Sequence, residues 1–353
     1  MPAISLCIVN FNGADHLPHA FAALEAQAWR FSEVLLVDNA STDGSLALVQ
    51  ALRPEIRVLR LARNLGPGAA RNAGFAAARS DLILFQDNDV RLERDTAGLL
   101  LEELRAHPGT LLVAPRVLYA DDHTRVQFDS ADCHFLGLMA TRNADAPVAA
   151  LDDAPADTTS VVTACFLIDR SRWDGGEPFD ESLGFNLEDH DFGVRARVAG
   201  HRLRVQPRAR VRHGDGTSGL SYRPGLLPAA ERHFYLTRNR WIVIAKCFSA
   251  RSLVLLSPAI LLFELMQLGW LTSQGRGRVW IRALRSFWAS RDAIRAGRHA
   301  TQRARAVPDG SVLRAAPLPL TRHVRGSGVV RRIGPLLDRA LLSYWRVARR
   351  WIG

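Results

Sequence analysis

Lysine is nearly absent from this chain: Lys246 stands alone among 46 basic residues, and the rest are arginine. Cysteine is scarce too. Cys7, Cys133, Cys165 and Cys247 show no CxxC pairing and no short spacing, which excludes a disulfide framework and a zinc site of the common kind. They read as reduced, mostly buried thiols of a cytosolic protein. A GxGxxG fingerprint is missing; Gly66-Pro67-Gly68 does not supply it, so dinucleotide binding of the Rossmann type is not supported. No zinc or RNA-binding signature accompanies the basic residues, which argues against nucleic acid as partner. The N-terminus lacks a positive leader region, since the first arginine is Arg30 and a strand pattern begins at Ile4; no cleaved signal peptide is expected.

The 353 residues are 48% hydrophobic, enough for a substantial core and for one large domain with an appendage, or two domains. The net charge of +11 is unevenly spread. Residues 231–353 hold 23 basic and 5 acidic residues (+18), whereas residues 1–230 hold 23 basic and 30 acidic (−7). An acidic front and a basic back suggest two jobs, the second facing an anionic partner.

The front half alternates strands and helices. Apolar runs Ile4–Val9, Val34–Val37, Ile56–Leu61, Leu82–Phe85 and Leu111–Ala114 are separated by helical patterns, which predicts a mostly parallel α/β sheet flanked by helices. Each run ends in a polar loop. In such sheets ligands bind outside the carboxyl ends of the strands. Leu82–Phe85 runs directly into Gln86-Asp87-Asn88-Asp89, where Asp87 and Asp89 suit a diphosphate-bound Mg²⁺ or Mn²⁺; the bland alternative is a helix-capping turn. Asp38 could accept from a base or ribose, or simply hold a turn. Arg71 could meet a phosphate, or sit on a solvated helix face. Residues 121–155 read as loops and short strands over the site, and 160–170 as a further strand.

The blocks Ile8-Val9-Asn10-Phe11-Asn12, Val37-Asp38-Asn39-Ala40-Ser41, Arg63-Asn64-Leu65-Gly66 with Ala70-Arg71-Asn72, and Gln86–Asp89 together resemble family 2 glycosyltransferases of the GT-A fold. The likeness leans toward the rhamnosyltransferase-like branch of bacterial cell-surface polysaccharide synthesis. It covers roughly residues 3–300. It implies nucleotide-sugar binding by Asn10, Asn12, Asp38, Asn64, Arg71 and Asp87, and a metal held by Asp87 and Asp89. It adds His213 near the diphosphate and metal. It also implies that the run Glu188-Asp189-His190-Asp191 carries the base, with Asp189 taking the proton of the acceptor hydroxyl, Glu188 orienting the helix start, and Asp191 a structural or second-choice acid.

Beyond residue 230 the composition shifts. Ser252–Leu271 is an apolar run of 20 residues with one acid, Glu264, and an internal Pro258. It reads as a re-entrant or interfacial helix, with a buried hairpin as the alternative and a span not excluded. Arginines at 276, 278, 282, 285 and 291 interleave with Trp280, Phe287 and Trp288, as suits anionic lipid. Residues 299–328 read as an irregular linker. Leu337, Leu341, Trp345, Ala348 and Ile352 fall on one helical face, the pattern of a helix lying in a membrane surface.

The expectation is a catalytic domain over 1–230, a helical membrane-associating region over 231–300, and a linker with a basic amphipathic helix over 301–353. The activity expected is metal-dependent inverting sugar transfer from dTDP-rhamnose or a UDP-sugar to a glycan or lipid-linked acceptor. The place is the cytoplasmic face of the inner membrane, peripheral or monotopic. A nucleotidyltransferase is the weaker alternative, because Asn10–Gly13 is a poor phosphate loop. A non-catalytic membrane-bound module for sugar nucleotides or polysaccharide is the other.

Overall fold

The structure is a computed structural model; it describes residues 2–214, 229–319 and 328–353. The front half builds one sheet. β1 (Ile4–Asn10), β2 (Glu33–Asp38), β3 (Arg57–Arg60) and β4 (Leu82–Asp87) run parallel in the order β3-β2-β1-β4. All seven residues of β1 are buried, so its unbroken apolar run serves a sheet covered on both faces. Helices α1 (Leu17–Glu25), α2 (Ser45–Leu52) and α3 (Pro67–Ala77) make the crossovers. Gly74 of α3 lets that helix settle onto the sheet, because a Cβ there would come within 2.4 Å of Cys7 Sγ.

The far half of the sheet departs from the parallel expectation. After the short β5 (Val90–Leu92), α4 (Thr96–Ala106) leads into β6 (Thr110–Tyr119). β11 (Cys165–Asp169) then inserts between β4 and β6, antiparallel to both, and β12 (Arg202–His213) lies parallel to β6. The sheet is therefore mixed, with the path β10-β12-β6-β11-β4-β1-β2-β3, where β10 is Ala156–Thr158. The reason lies in the connection. A long excursion through β7 (Val126–Phe128), β8 (Ala131–His134) and β9 (Met139–Thr141) returns the chain from the opposite end, with no crossover helix before β11. Of the strand expected over 160–170, Cys165–Asp169 forms β11, and Ser160 makes an isolated bridge to Ala131.

The basic half is helical: α5 (Glu188–Val198) ends the front, and α6 (Ala229–Cys247), α7 (Ala250–Ser273), α8 (Gly277–Ala289) and α9 (Arg291–Arg303) follow β12. These helices share a core with the front half. Cys133, Phe135 and Leu136 pack with Val194 of α5, Val243 and Ile244 of α6 and Leu256 of α7. Residues 299–319 are more ordered than a linker. Asp309 is buried, accepts from Ser249 N–H and pairs with Arg305, and opens the short α10 (Asp309–Val312). β13 (Leu313–Arg314) then pairs with β8.

The last helix, α11 (Gly328–Ala348), corrects one expectation. Its predicted membrane-facing side is turned inward: Leu341, Trp345, Ala348 and Ile352 are buried, and Trp345 stacks on Phe135 with ring centroids 5.1 Å apart. That stripe covers the protein's own core, as an amphipathic helix also does in a globular domain. All four cysteines are buried and unpaired.

Candidate active site

Three side chains meet at the strand ends. Ligand atoms of Asp87, Asp89 and His213 lie within 4.8 Å of one another. Asp87 ends β4, Asp89 follows two residues later, and His213 ends β12, whose last residue pairs with Val90 of β5. The small strand β5 thus brings the two loops together. His213 Nε2 lies 3.3 Å from Asp89 Oδ2, and Nδ1 shares a hydrogen with Gln127 Oε1 at 2.6 Å. An amide oxygen can only accept, so Nδ1 carries a proton, and Nε2 faces Asp89, donating to it when the ring is protonated and offering a lone pair when it is neutral. Burial opposes the Asp89 charge, but His213 outweighs it and holds the carboxyl below its usual range. Residues 215–219, the remainder of the block that follows His213, lie outside the described residues.

A second carboxylate pair opens α5. Glu188 and Asp189 are buried at the helix N-terminus, where free N–H groups and the helix dipole favour negative charge. Asp189 Oδ1 accepts from the His190 amide at 2.7 Å. Burial nonetheless pushes both carboxyls above the usual range, Glu188 further because the charge of Asp189 adds to it. The backbone preceding them is tightly bent: Asn186 and Leu187 both hold left-handed φ, at 63° and 64°. Close approach to α3 requires glycine there. A Cβ on Gly66 would meet Gly184 O at 2.1 Å, and one on Gly68 would meet Glu188 Cγ at 3.3 Å.

Arg71 joins the two groups from inside the fold, not from a solvated helix face. Its side chain is only 3% exposed. It donates to Asp87 Oδ1 at 2.6 Å, to Thr163 O at 3.1 Å and to Glu188 Oε1 at 3.4 Å, and its guanidinium lies 5.7 Å from the Phe179 ring centre. Burial works against its charge, but Asp87, Glu188 and Asp189 more than restore it. For Asp87 burial prevails over Arg71 and the carboxyl rises. Arg71 therefore acts as the counter-charge of both carboxylate groups.

Asn10 and Asp38 end the neighbouring strands β1 and β2. Both are fully buried, and Asp38 accepts from Asn10 Nδ2 at 2.9 Å and from Ser41 Oγ and N–H. These bonds tie the end of β1 to the loop after β2. Asn10 Oδ1 accepts from Asn88 Nδ2 at 2.8 Å, which anchors the Asp87–Asp89 loop to β1. Asn12, with φ 48°, accepts from the Thr42 amide. Asn64 is exposed, and its Oδ1 is taken by Asn39 Nδ2 and the Gly66 amide. Asp191 is no candidate acid. It is completely buried and bridges Lys246 at 2.9 Å and Arg195 at 2.7 Å, which keeps its carboxyl ionised. Gln127, Asn88 and Ser41 were not singled out as site residues from the sequence; polar residues in the quoted loops were the signal for the last two, and nothing local marks Gln127.

The trio fits a divalent cation by its chemistry. Two carboxylates and an imidazole lone pair converge, and buried Asp89 Oδ2 accepts no hydrogen bond. A mixed α/β sheet thus carries two carboxylates and a histidine at its strand ends, with a second carboxylate pair on a facing helix. Residues 5–171 match the family described as Glycosyl transferase family 2. The chain is 36% identical over 107 residues to the succinoglycan biosynthesis protein ExoO of Rhizobium meliloti, covering 30% of this chain and 31% of that protein. It is 30% identical over 257 residues to a pre-mycofactocin glycosyltransferase of Mycobacterium tuberculosis, covering 69% and 48%. It therefore spans less than half the length of these curated relatives. Among solved structures it superposes on Staphylococcus aureus TarS 1-349 in complex with UDP-GlcNAc, with TM-score 0.56, 16% identity, and coverage of 99% of this chain and 90% of that one. GalNAc-T7 with UDP, GalNAc and Mn²⁺ gives 0.54 at 15% identity, covering 70% and 48%. These two likenesses establish the fold.

Proposed function

We propose that this chain transfers a sugar, with inversion, from a nucleotide-diphosphate sugar to a hydroxyl of a glycan or lipid-linked acceptor in cell-surface polysaccharide synthesis. The observation that carries the reading is the pairing of the two carboxylate groups across Arg71. Asp189 takes the proton of the attacking hydroxyl; burial has already raised its affinity for one. Glu188 and Arg71 hold that carboxylate against the strand ends. Asp87, Asp89 and His213 would hold Mg²⁺ or Mn²⁺, which when bound neutralises charge on the departing diphosphate. A UDP-sugar or dTDP-rhamnose is the donor we favour; the neighbours solved with UDP or UDP-GlcNAc support the first, and the rhamnosyltransferase-like motifs the second.

The acceptor we favour is lipid-linked, and the place is the cytoplasmic face of the inner membrane. Support comes from α7. Two polar residues of its middle turn inward: Glu264 pairs with buried Arg240 and accepts from Trp280 Nε1, and Gln267 donates to Thr237. Val254, Leu261, Leu262 and Leu265 are exposed on the other side. By length and composition this helix could cross a membrane, but a side bonded to protein and a bare apolar side suit an interfacial position.

The test uses two variants and a nucleotide panel. Asp189→Asn should abolish transfer while the thermal shift given by UDP or dTDP with Mn²⁺ persists. Asp89→Ala should lose the metal-dependent part of that shift. Unchanged turnover in Asp189→Asn removes that residue from the role, whereas a wild-type chain that binds nucleotide but transfers no sugar moves weight to the binding-module reading.

A further inference from the structure

Helix α6 lies outside the residues matched by the family, yet it grips the loop that aims Glu188 and Asp189. Asn239 Nδ2 donates into a nest of three carbonyls, Leu183 O at 3.1 Å, Phe185 O at 2.9 Å and Asn186 O at 2.6 Å. Asn239 is fully buried, and its own Oδ1 accepts from Arg238 at 3.2 Å, which fixes the amide with its N–H groups toward the loop. Arg238 also donates to Ser182 O at 2.7 Å and Leu183 O at 3.4 Å. Tyr235, one turn earlier on α6, meets the Phe185 ring edge-on at 6.3 Å.

The loop so held is costly to form. Gly184, Asn186 and Leu187 all carry positive φ, and for non-glycine residues each such position costs about 1–3 kcal/mol unless its surroundings compensate. Leu187 is the residue before α5 and has no side-chain capping bond.

We propose that Asn239 is a positioning residue for sugar transfer: its amide, oriented by Arg238, holds the 183–187 loop in the bend that places Glu188 and Asp189 against Arg71. The inference rests on the sugar-transfer reading of that site. It makes α6 part of the catalytic apparatus. It also separates the role of Asn239 from donor binding, because neither it nor Arg238 touches Asp87, Asp89 or His213.

The experiment uses the full chain with Asn239→Asp, which keeps size but turns a carboxylate on three carbonyls. Expected is a fall in kcat of roughly tenfold to a hundredfold, as for a misplaced catalytic group, with donor KM within about twofold. The UDP-dependent thermal shift stays, and amide hydrogen exchange over 183–191 rises about tenfold or more. Gln267→Ala removes the bond between Thr237 of α6 and α7 without touching the loop, and should leave kcat and that exchange at wild-type values. Unchanged kcat and exchange in Asn239→Asp overturns the proposal, as does Gln267→Ala reproducing its losses. Should Asn239→Asp fail to fold, Arg238→Ala decides: raised exchange confined to 182–191 supports the proposal, and wild-type exchange overturns it. A wild-type chain that transfers no sugar from any donor in the panel counts against the sugar-transfer reading, and the exchange measurements still decide the clamp.

Discussion

Arg71 is one cation among three buried or half-buried carboxylates, and its removal has consequences of predictable sign. Arg71→Met would leave Asp87, Glu188 and Asp189 without their shared counter-charge. Removing one partner from a buried ion pair costs about 3–5 kcal/mol, readable as a lower denaturation midpoint. The same change should move the acid side of the activity profile. Burial already raises the Asp189 carboxyl, and the base form exists only above that raised value. Wild-type kcat/KM should therefore fall on acidification well above the ordinary Asp range near pH ~4, and in Arg71→Met the fall should begin at still higher pH. A profile flat down to that range would exclude Asp189 as the base. The carboxylates were legible from sequence because Asp87 and Asp89 follow an apolar strand run and Glu188-Asp189 open a helix. The place of Arg71 was not, since nothing local tells that its face of α3 turns inward toward acids more than 100 residues away. Gln127 escaped for the same reason: its contact with His213 exists only after β7 and β12 have joined one sheet.

Helices α5 and α6 are locked together by the only lysine in the sequence. Lys246 reaches Asp180 at 2.6 Å, just before the loop, and Asp191 at 2.9 Å, in the first turn of α5. Burial raises the Asp180 carboxyl, but the Lys246 charge and bonds from Lys246 and Ser182 prevail and lower it to about 2. A folded value depressed below the unfolded one stabilises the fold above the unfolded pKa, and the gain fades as pH falls through the folded value. Asp180→Asn should therefore cost about 2 kcal/mol at neutral pH. The difference from wild type should shrink between pH ~4 and pH ~2 in chemical denaturation; a pH-independent difference would assign the loss to packing instead. The strand and helix order of the front half could be read from apolar runs because each run is a continuous buried strand between crossover helices. The antiparallel β11 could not. Its run looks the same in either direction, and direction is set by a connection of irregular loops and short strands. The inward face of α11 misled for a related reason: a stripe of Leu341, Trp345 and Ile352 fits a lipid surface or the protein's own core equally well.

Across the whole molecule, apolar exposure gathers on the basic half. Along α7, Val254, Ser257, Pro258, Leu261, Leu262, Leu265, Gly269 and Thr272 are exposed in one stripe about 27 Å long at the helical rise, with exposed Arg251 as the charge at its N-terminal end. Trp351 and Val254 line one hollow with Ala250, Arg251 and Leu255, so the C-terminal turn continues the stripe. On α8, exposed Ile281 and Trp288 sit among exposed Arg278, Arg282 and Arg285. Apolar wedge and arginine rim together complement an anionic bilayer surface, which is the docking we propose for the acceptor-bearing membrane. Vesicles of phosphatidylglycerol mixed with phosphatidylcholine should retain the protein at low salt and release part of it as salt rises, because exposed charges are screened within about 10 Å at 0.1 M. Vesicles of phosphatidylcholine alone should bind far less. Each fully buried leucine contributes about 1.5–3 kcal/mol, so Leu261→Glu with Leu265→Glu should weaken vesicle binding by tenfold or more while leaving transfer to a soluble acceptor intact. Arg278→Glu with Arg285→Glu should remove mainly the salt-sensitive part. If both double variants co-sediment with anionic vesicles as wild type does, the stripe is not the membrane face, and the basic half must meet its anionic partner elsewhere.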